Sequence, residues 1–125
     1  MKSKVEYNEK YSEIFALHDM LVEHDIPHDF LDESFAGGKY TKYHIYYPSI
    51  VEFQKAENPY CCSAVEGNVS ISGENNRIEM MFYPSEVTNM DDLTVSNLSA
   101  QEAFERIQKA DDKRYKSIHP SPSNK

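Results

Sequence analysis

The sequence predicts an α+β domain: an N-terminal helix, an antiparallel sheet of about four to six strands, and a C-terminal helix. Three observations carry this. Apolar residues recur at helical spacing through Tyr11, Ile14, Phe15, Leu17, Leu21 and Val22. A run rich in Tyr, Ile and Thr, YTKYHIYY, follows at 40–47, and further short apolar runs are separated by turn residues. A capped amphipathic segment, LSAQEAFERI, lies near the end of the chain. No strand–helix–strand alternation appears, so the strands are expected to pair antiparallel.

In chain order, Ser3 and Glu6 fit a capping box, and Asn8 is a second candidate N-cap. The first helix is expected at 5–24 and ends before Pro27, because the residue preceding a proline avoids the α region. HDFLDESF (28–35) reads as a strand of poor alternation, and Gly37-Gly38 as a turn. YTKYHIYY is the clearest strand, and Pro48 closes it. IVEFQKAENP (50–59) reads as a loop and YCCSAVEG (60–67) as a strand. NVSIS (68–72) and RIEMMFY (77–83) flank Gly73-Glu74-Asn75-Asn76 as a hairpin, with Ile78, Met80 and Phe82 on one face. PSEVTNMDD (84–92) is a loop and LTV (93–95) a short strand.

Ser99 and Glu102 then make a capping box, with Leu98 placed to staple against Ala103. Ala103, Phe104 and Ile107 form the buried stripe of a helix running from 100 to 115. One domain is expected over 1–116. SIHPSPSNK (117–125) has the composition of a disordered tail.

Composition narrows the function classes. A chain of 125 residues with 39% apolar residues can build one core. No apolar run approaches the ~20 residues that span a bilayer, and MKSKVEYNEK lacks a signal-peptide core. A cytoplasmic protein without membrane contact is expected. Cys61 and Cys62 are adjacent and, in a strand, face opposite ways. Neither a disulfide framework nor a zinc motif follows. A net charge of −8 argues against a general nucleic-acid binder. The charge is uneven: residues 1–38 carry nine acids and three bases, and residues 100–125 four acids and six bases.

HDMLVEHDIPHDF holds three His-Asp pairs within residues 18–30. His18 is expected on or beside the apolar stripe, packed and hydrogen-bonded. His24 falls in the last helical turn, where an imidazole suits the negative end of the dipole. Pro27 separates His24 from His28, and His18 and His24 lie about 120° apart around the helix. The three imidazoles are expected to point apart, with no metal site. G-x-S-x-G, a P-loop and a Gly-rich dinucleotide turn are absent, so no catalytic residue is assigned and no enzyme is expected.

The last helix carries a more organised pattern. Arg106, Lys109, Lys113 and Lys116 fall within an arc of roughly 80°, beside the apolar stripe. Such a face can hold phosphates, or it can be a solvated helix face favoured by the dipole. Phe82, Tyr83 and the tyrosines of 40–47 can stack on a base or pack in the core.

EHDIPHDF, GGKYTKYHIYYPS, CCSAVEG, RIEMM and LSAQEAFERI, taken in that order, resemble a family of small proteins from phages and prophages of Gram-positive bacteria. The resemblance covers about residues 14–108. It departs at Gly37-Gly38, in a longer 50–59 connection and in an extended tail. Within such phage proteins the chain is similar to the Thoeris anti-defence sponges. These are α+β oligomers that sequester a cyclised ADP-ribose signal without breaking it.

The resemblance implies a phage-encoded antagonist of host defence, without a cofactor, acting as a homo-oligomer in the cytoplasm of the infected bacterium. It implies a nucleotide-derived second messenger as ligand, of the cyclic ADP-ribose or cyclic oligonucleotide type. Phe82, directly after RIEMM, would stack on the base. Arg106, within LSAQEAFERI, would hold phosphate together with Lys109 and Lys113, which helix geometry adds. The alternative is an acidic inhibitor of a host nuclease complex, of the anti-CRISPR type. Its acids, among them Glu23, Asp25, Asp29, Asp32 and Glu33, would imitate nucleic-acid phosphates toward a host defence protein.

Overall fold

The computed structural model describes residues 5–55, 61–68, 77–82 and 94–118. A 3-10 turn, Glu9–Tyr11, leads into α1 (Ser12–Glu23). Then come β1 (Asp29–Asp32), β2 (Lys42–Tyr47), α2 (Ile50–Lys55), β3 (Cys62–Gly67), β4 (Ile78–Phe82), β5 (Thr94–Leu98) and α3 (Ala100–Ile118). The five strands lie in sequence order, each antiparallel to its neighbours. The fold is α+β, as the helix–strands–helix order predicts.

The period of two sorts the strands' side chains. Register places Ile45, Ala64 and Met80 in one row and Tyr47, Cys62 and Phe82 in the next. These share a core with Ile14, Leu17 and Leu21 of α1 and with Ala103, Phe104 and Ile107 of α3. Lys42, His44 and Tyr46, offset by one, face the other way. Burying the apolar stripes of both helices on one sheet face is the main source of stability.

Capping bonds are identifiable at the 3-10 turn before α1, at the end of α1 and at the start of α3. Asn8 caps the 3-10 turn by accepting from the Lys10 N–H, so the α-helix starts at Ser12 and not at 5 as periodicity suggested. Its end is a Schellman arrangement, set before Pro27 is reached: Ile26 N donates to Leu21 O (2.9 Å) and Asp25 N to Val22 O (3.1 Å). Leu21 and Ile26 are both buried, completing the motif's apolar contact. Asp25 sits there at φ 55°, a left-handed conformation that glycine adopts at less cost. Asp25→Gly is therefore expected to stabilise the protein by about 0.5–1 kcal/mol in urea unfolding.

The α3 capping box forms as predicted: Glu102 N donates to Ser99 Oγ (3.2 Å), and Ser99 N donates to Glu102 Oε1 (2.9 Å). These bonds hold the Glu102 carboxyl below its usual range. Glu13 of α1 accepts from Ala100 N (2.7 Å), so α1 supplies a further cap to α3. Tyr47 donates to Asp111 Oδ1 (2.7 Å) farther along that helix.

Three boundaries differ from expectation. Residues 50–55 are helical and not loop, because Ser49 Oγ accepts from Glu52 N and Asp29 Oδ2 accepts from Ile50 N. Phe53 then packs edge-on to Tyr46. Strand β5 extends to Leu98 through a bulge at Asn97 (φ 61°), with register shifting between Ile78 and Met80. Helix α3 runs to Ile118, so 117–118 belong to it and not to a tail. Ser3, the 73–76 turn and residues 119–125 lie outside the described residues. No described helix is long and apolar enough to cross a membrane.

Candidate functional site

A polar cluster occupies the sheet face turned away from α1 and α3. Alternation along KYHIYY brings Lys42, His44 and Tyr46 to that face. The chain leaving β1 adds Glu33, whose N–H donates to Lys42 O (2.8 Å). His44 Nδ1 lies 3.0 Å from Glu33 Oε1, and Tyr46 donates to Glu33 Oε2 at 2.7 Å. Lys42 Nζ stands 3.6 Å from Glu33 Oε1. The His44 and Tyr46 rings stack at 4.1 Å and 17°.

The environment sets the protonation states. Burial raises the Glu33 carboxyl, but the Tyr46 hydroxyl, His44 and Lys42 together outweigh it, and the acid ends below its usual range. Burial pushes His44 down against the upward pull of Glu33, and burial wins. At neutral pH the pair is thus a carboxylate facing a neutral imidazole. Burial first, and the Glu33 contact second, raise the Tyr46 phenol far above its ordinary value. Because a carboxylate only accepts, the His44 proton is assigned to Nδ1, and Nε2 carries a lone pair. That Nε2 is buried and has no hydrogen-bond partner among the described residues.

Beside the cluster lies a depression of about 250 Å³. Lys42, His44, Ser63, Glu79 and Thr94 supply its polar lining, and Val65, Met80 and Met81 its apolar wall. Polar groups converging on an apolar hollow are the usual makeup of a small-molecule site.

No protein-family model, curated protein or solved structure matches the chain.

The four residues expected to bind a ligand are not part of this hollow. Phe82 pairs with Cys62 on the core side and packs, partly buried, against the core. Arg106 is half-buried and donates to Glu102 O (3.2 Å). Lys109 and Lys113 are exposed on α3, which packs against the core face.

The three histidines do not simply diverge. The chain reverses after Pro27 and sets His28 Nε2 at 2.8 Å from His18 Nδ1. His28 Nδ1 donates to Ile26 O (2.9 Å), so in the neutral pair His18 is the donor between the rings. The His18 ring also lies against Phe30 at 4.7 Å, which fits the packed, hydrogen-bonded expectation. His24 donates to Met20 O and packs on Phe104, joining α1 to α3. Among the described residues no group of three or more His, Cys, Asp and Glu side chains is placed to hold a metal ion.

Both cysteines are buried free thiols, and burial pushes Cys61 up to about 11. A thiol that stays protonated at neutral pH is a poor nucleophile. Of the five acids expected to imitate phosphates, Asp29 caps α2 and Glu33 belongs to the His44 cluster. Glu23, Asp25 and Asp32 are exposed.

Sequence reasoning missed the Glu33–His44–Tyr46 cluster. The signal for half of it was present: a strand whose even positions are Lys42, His44 and Tyr46 beside a Tyr43–Ile45–Tyr47 core face. Glu33 carries no comparable local signal, because its partners stand 11 and 13 residues away.

Proposed function

We propose that the protein sequesters a nucleotide-derived signalling molecule, holding it in the depression beside His44 without cleaving it. The observation that carries this reading is the mixed lining of that depression: a cross-braced polar cluster next to the apolar side chains of Val65 and Met81. The ligand class comes from the resemblance to phage anti-defence sponges, as does the setting, the cytoplasm of an infected bacterium. Sequestration requires tight binding and enough copies, not catalysis.

The exposed Lys109 and Lys113 offer a separate phosphate-facing surface, and the same titration discriminates between the two. Calorimetry with cyclic ADP-ribose isomers and cyclic oligonucleotides is expected to give at least micromolar affinity for one of them. That ligand should return unaltered from heat-denatured protein. Loss of affinity in Lys109→Ala/Lys113→Ala, with Met81 and Thr94 resonances unmoved by ligand, would relocate the site to α3. No heat with any ligand would sink the reading. Capture of a host nuclease in its place would favour the acidic-inhibitor alternative, to which a depression lined by Glu6, Glu9 and Asp32 lends support.

A further inference from the structure

The depression beside His44 is lined by charges of both signs, and they are not in the same state. Lys42 pairs with Gly67 and Glu79 with Val65, so the two stand on opposite sides of β3 and two positions apart along it. Both point to the sheet face that carries His44. At strand spacings of about 4.8 Å and a rise of about 3.4 Å per residue, their backbones lie about 12 Å apart. Val65 lies between them, and Met81 continues the apolar surface. These groups can be reached from solvent. Met81 is 52% exposed, the Lys42 side chain 35%, and Val65 and Glu79 are half-buried.

Lys42 Nζ stands 3.6 Å from Glu33 Oε1, so its charge is matched within the protein. An ammonium has three donors, and the others remain for an anionic group. His44 adds no charge at neutral pH, because burial holds its imidazole below the ordinary value. Glu79 has no ion pair or hydrogen bond among the described residues. The unmatched charge on the lining is therefore a carboxylate beside an apolar surface. A bare anion is repelled from that end. A positive group there makes a charge-assisted contact, strengthened by partial exclusion of water. Seating it against Val65 and Met81 costs least for a delocalised cation, which is more weakly hydrated than a compact ammonium.

We infer that the depression takes a small zwitterionic molecule, with a delocalised cationic group at Glu79, an apolar middle over Val65 and an anionic group at Lys42. Glu79 is the residue that sets this specificity. The inference rests on the depression being the ligand site, as proposed above. It narrows that reading to messengers that carry a positive centre as well as phosphate.

1-Methyladenosine 5′-phosphate and AMP test this. They differ by one methyl group, and only the methylated ring is a delocalised cation at neutral pH. In calorimetry with the full chain the methylated compound should bind at least about tenfold more tightly, the least that one charge-assisted contact contributes. It should also shift the Met81 and Thr94 resonances. Glu79→Gln should abolish the preference and Glu79→Lys should reverse it. Both variants should keep the melting temperature of the unaltered chain, since Glu79 bonds to nothing in the fold among the described residues.

Equal affinity of the unaltered protein for the two compounds would overturn the inference. So would a preference that survives Glu79→Gln, or binding that leaves Met81 and Thr94 unmoved, or no binding of either compound. In each of those cases sequestration itself would stand if cyclic ADP-ribose or a cyclic oligonucleotide still bound the unaltered chain. If none of these molecules bound, both readings would fall together.

Discussion

Glu66→Gln is expected to keep its stability as pH rises from about 5 to about 8, while the unaltered chain loses roughly 2–3 kcal/mol from this one group. Glu66 is fully buried on the core side of β3. Its Oε1 accepts from Ile14 N at 2.9 Å, in the first turn of α1, and its Oε2 has no partner among the described residues. Burial pushes the acid up to about 7 from its ordinary 4.5; the Ile14 N–H opposes the rise and the nearby Glu13 carboxylate adds to it.

The sign follows from proton counting. A carboxyl raised on folding binds more protons folded than unfolded, so its contribution is fully present below pH 4.5 and lost as pH rises through about 7. His44 opposes this. Its folded value is depressed, so its contribution is present above its ordinary 6.5 and is lost as pH falls through the depressed value. Comparing the unaltered chain with Glu66→Gln at each pH isolates the carboxyl from the imidazole. Melting temperatures at three pH values suffice. A difference between the two proteins that stays constant across the range would show that Glu66 is not held protonated in the fold.

Gly67→Ala is expected to destabilise by about 3 kcal/mol, near the upper end of overpacking costs. Gly67 pairs with Lys42 at the end of the β2–β3 ladder. A Cβ there would collide with the carbonyl oxygen of Thr41 and crowd its carbon and the Lys42 Cα, all backbone atoms. No side chain can rotate away to relieve the contact, so the strands must part. Gly37→Ala is the informative control: its Cβ meets nothing within 4 Å, and only its φ of 65° is costly, worth about 1 kcal/mol. Urea unfolding of both variants separates collision from backbone strain. Equal losses would mean that β2 and β3 yield at this point more readily than their register suggests.

The two positions show what could be read in the chain before any contact was known. Residues 60–67 were legible as a strand, because apolar, β-forming residues ran up to a glycine. That Gly67 stands where nothing larger fits depends on Thr41, which another strand delivers. Glu66 looked like a polar residue ending a strand. Its role as a buried cap for α1 depends on Ile14, 52 residues earlier. The same split appears at α2. Residues 50–59 read as a loop, and the bond from Ile50 N to Asp29 that helps to start the helix spans 21 residues.

By itself the sequence determined the helix–strands–helix order, though not the short α2, together with the capping box of α3, the Gly37-Gly38 turn and the face shared by Ile78, Met80 and Phe82. Periodicity, capping and turn chemistry act over a few residues, so a linear reading suffices for them. Only the tertiary structure decided which sheet face the helices cover. That choice put Phe82 against the core and left His44 with Glu33 and Tyr46 on the other side. It also brought His18 onto His28 across the Pro27 reversal. Such contacts depend on where the chain returns after a turn and on which desolvated groups then meet, and neither is written in the spacing of the residues concerned.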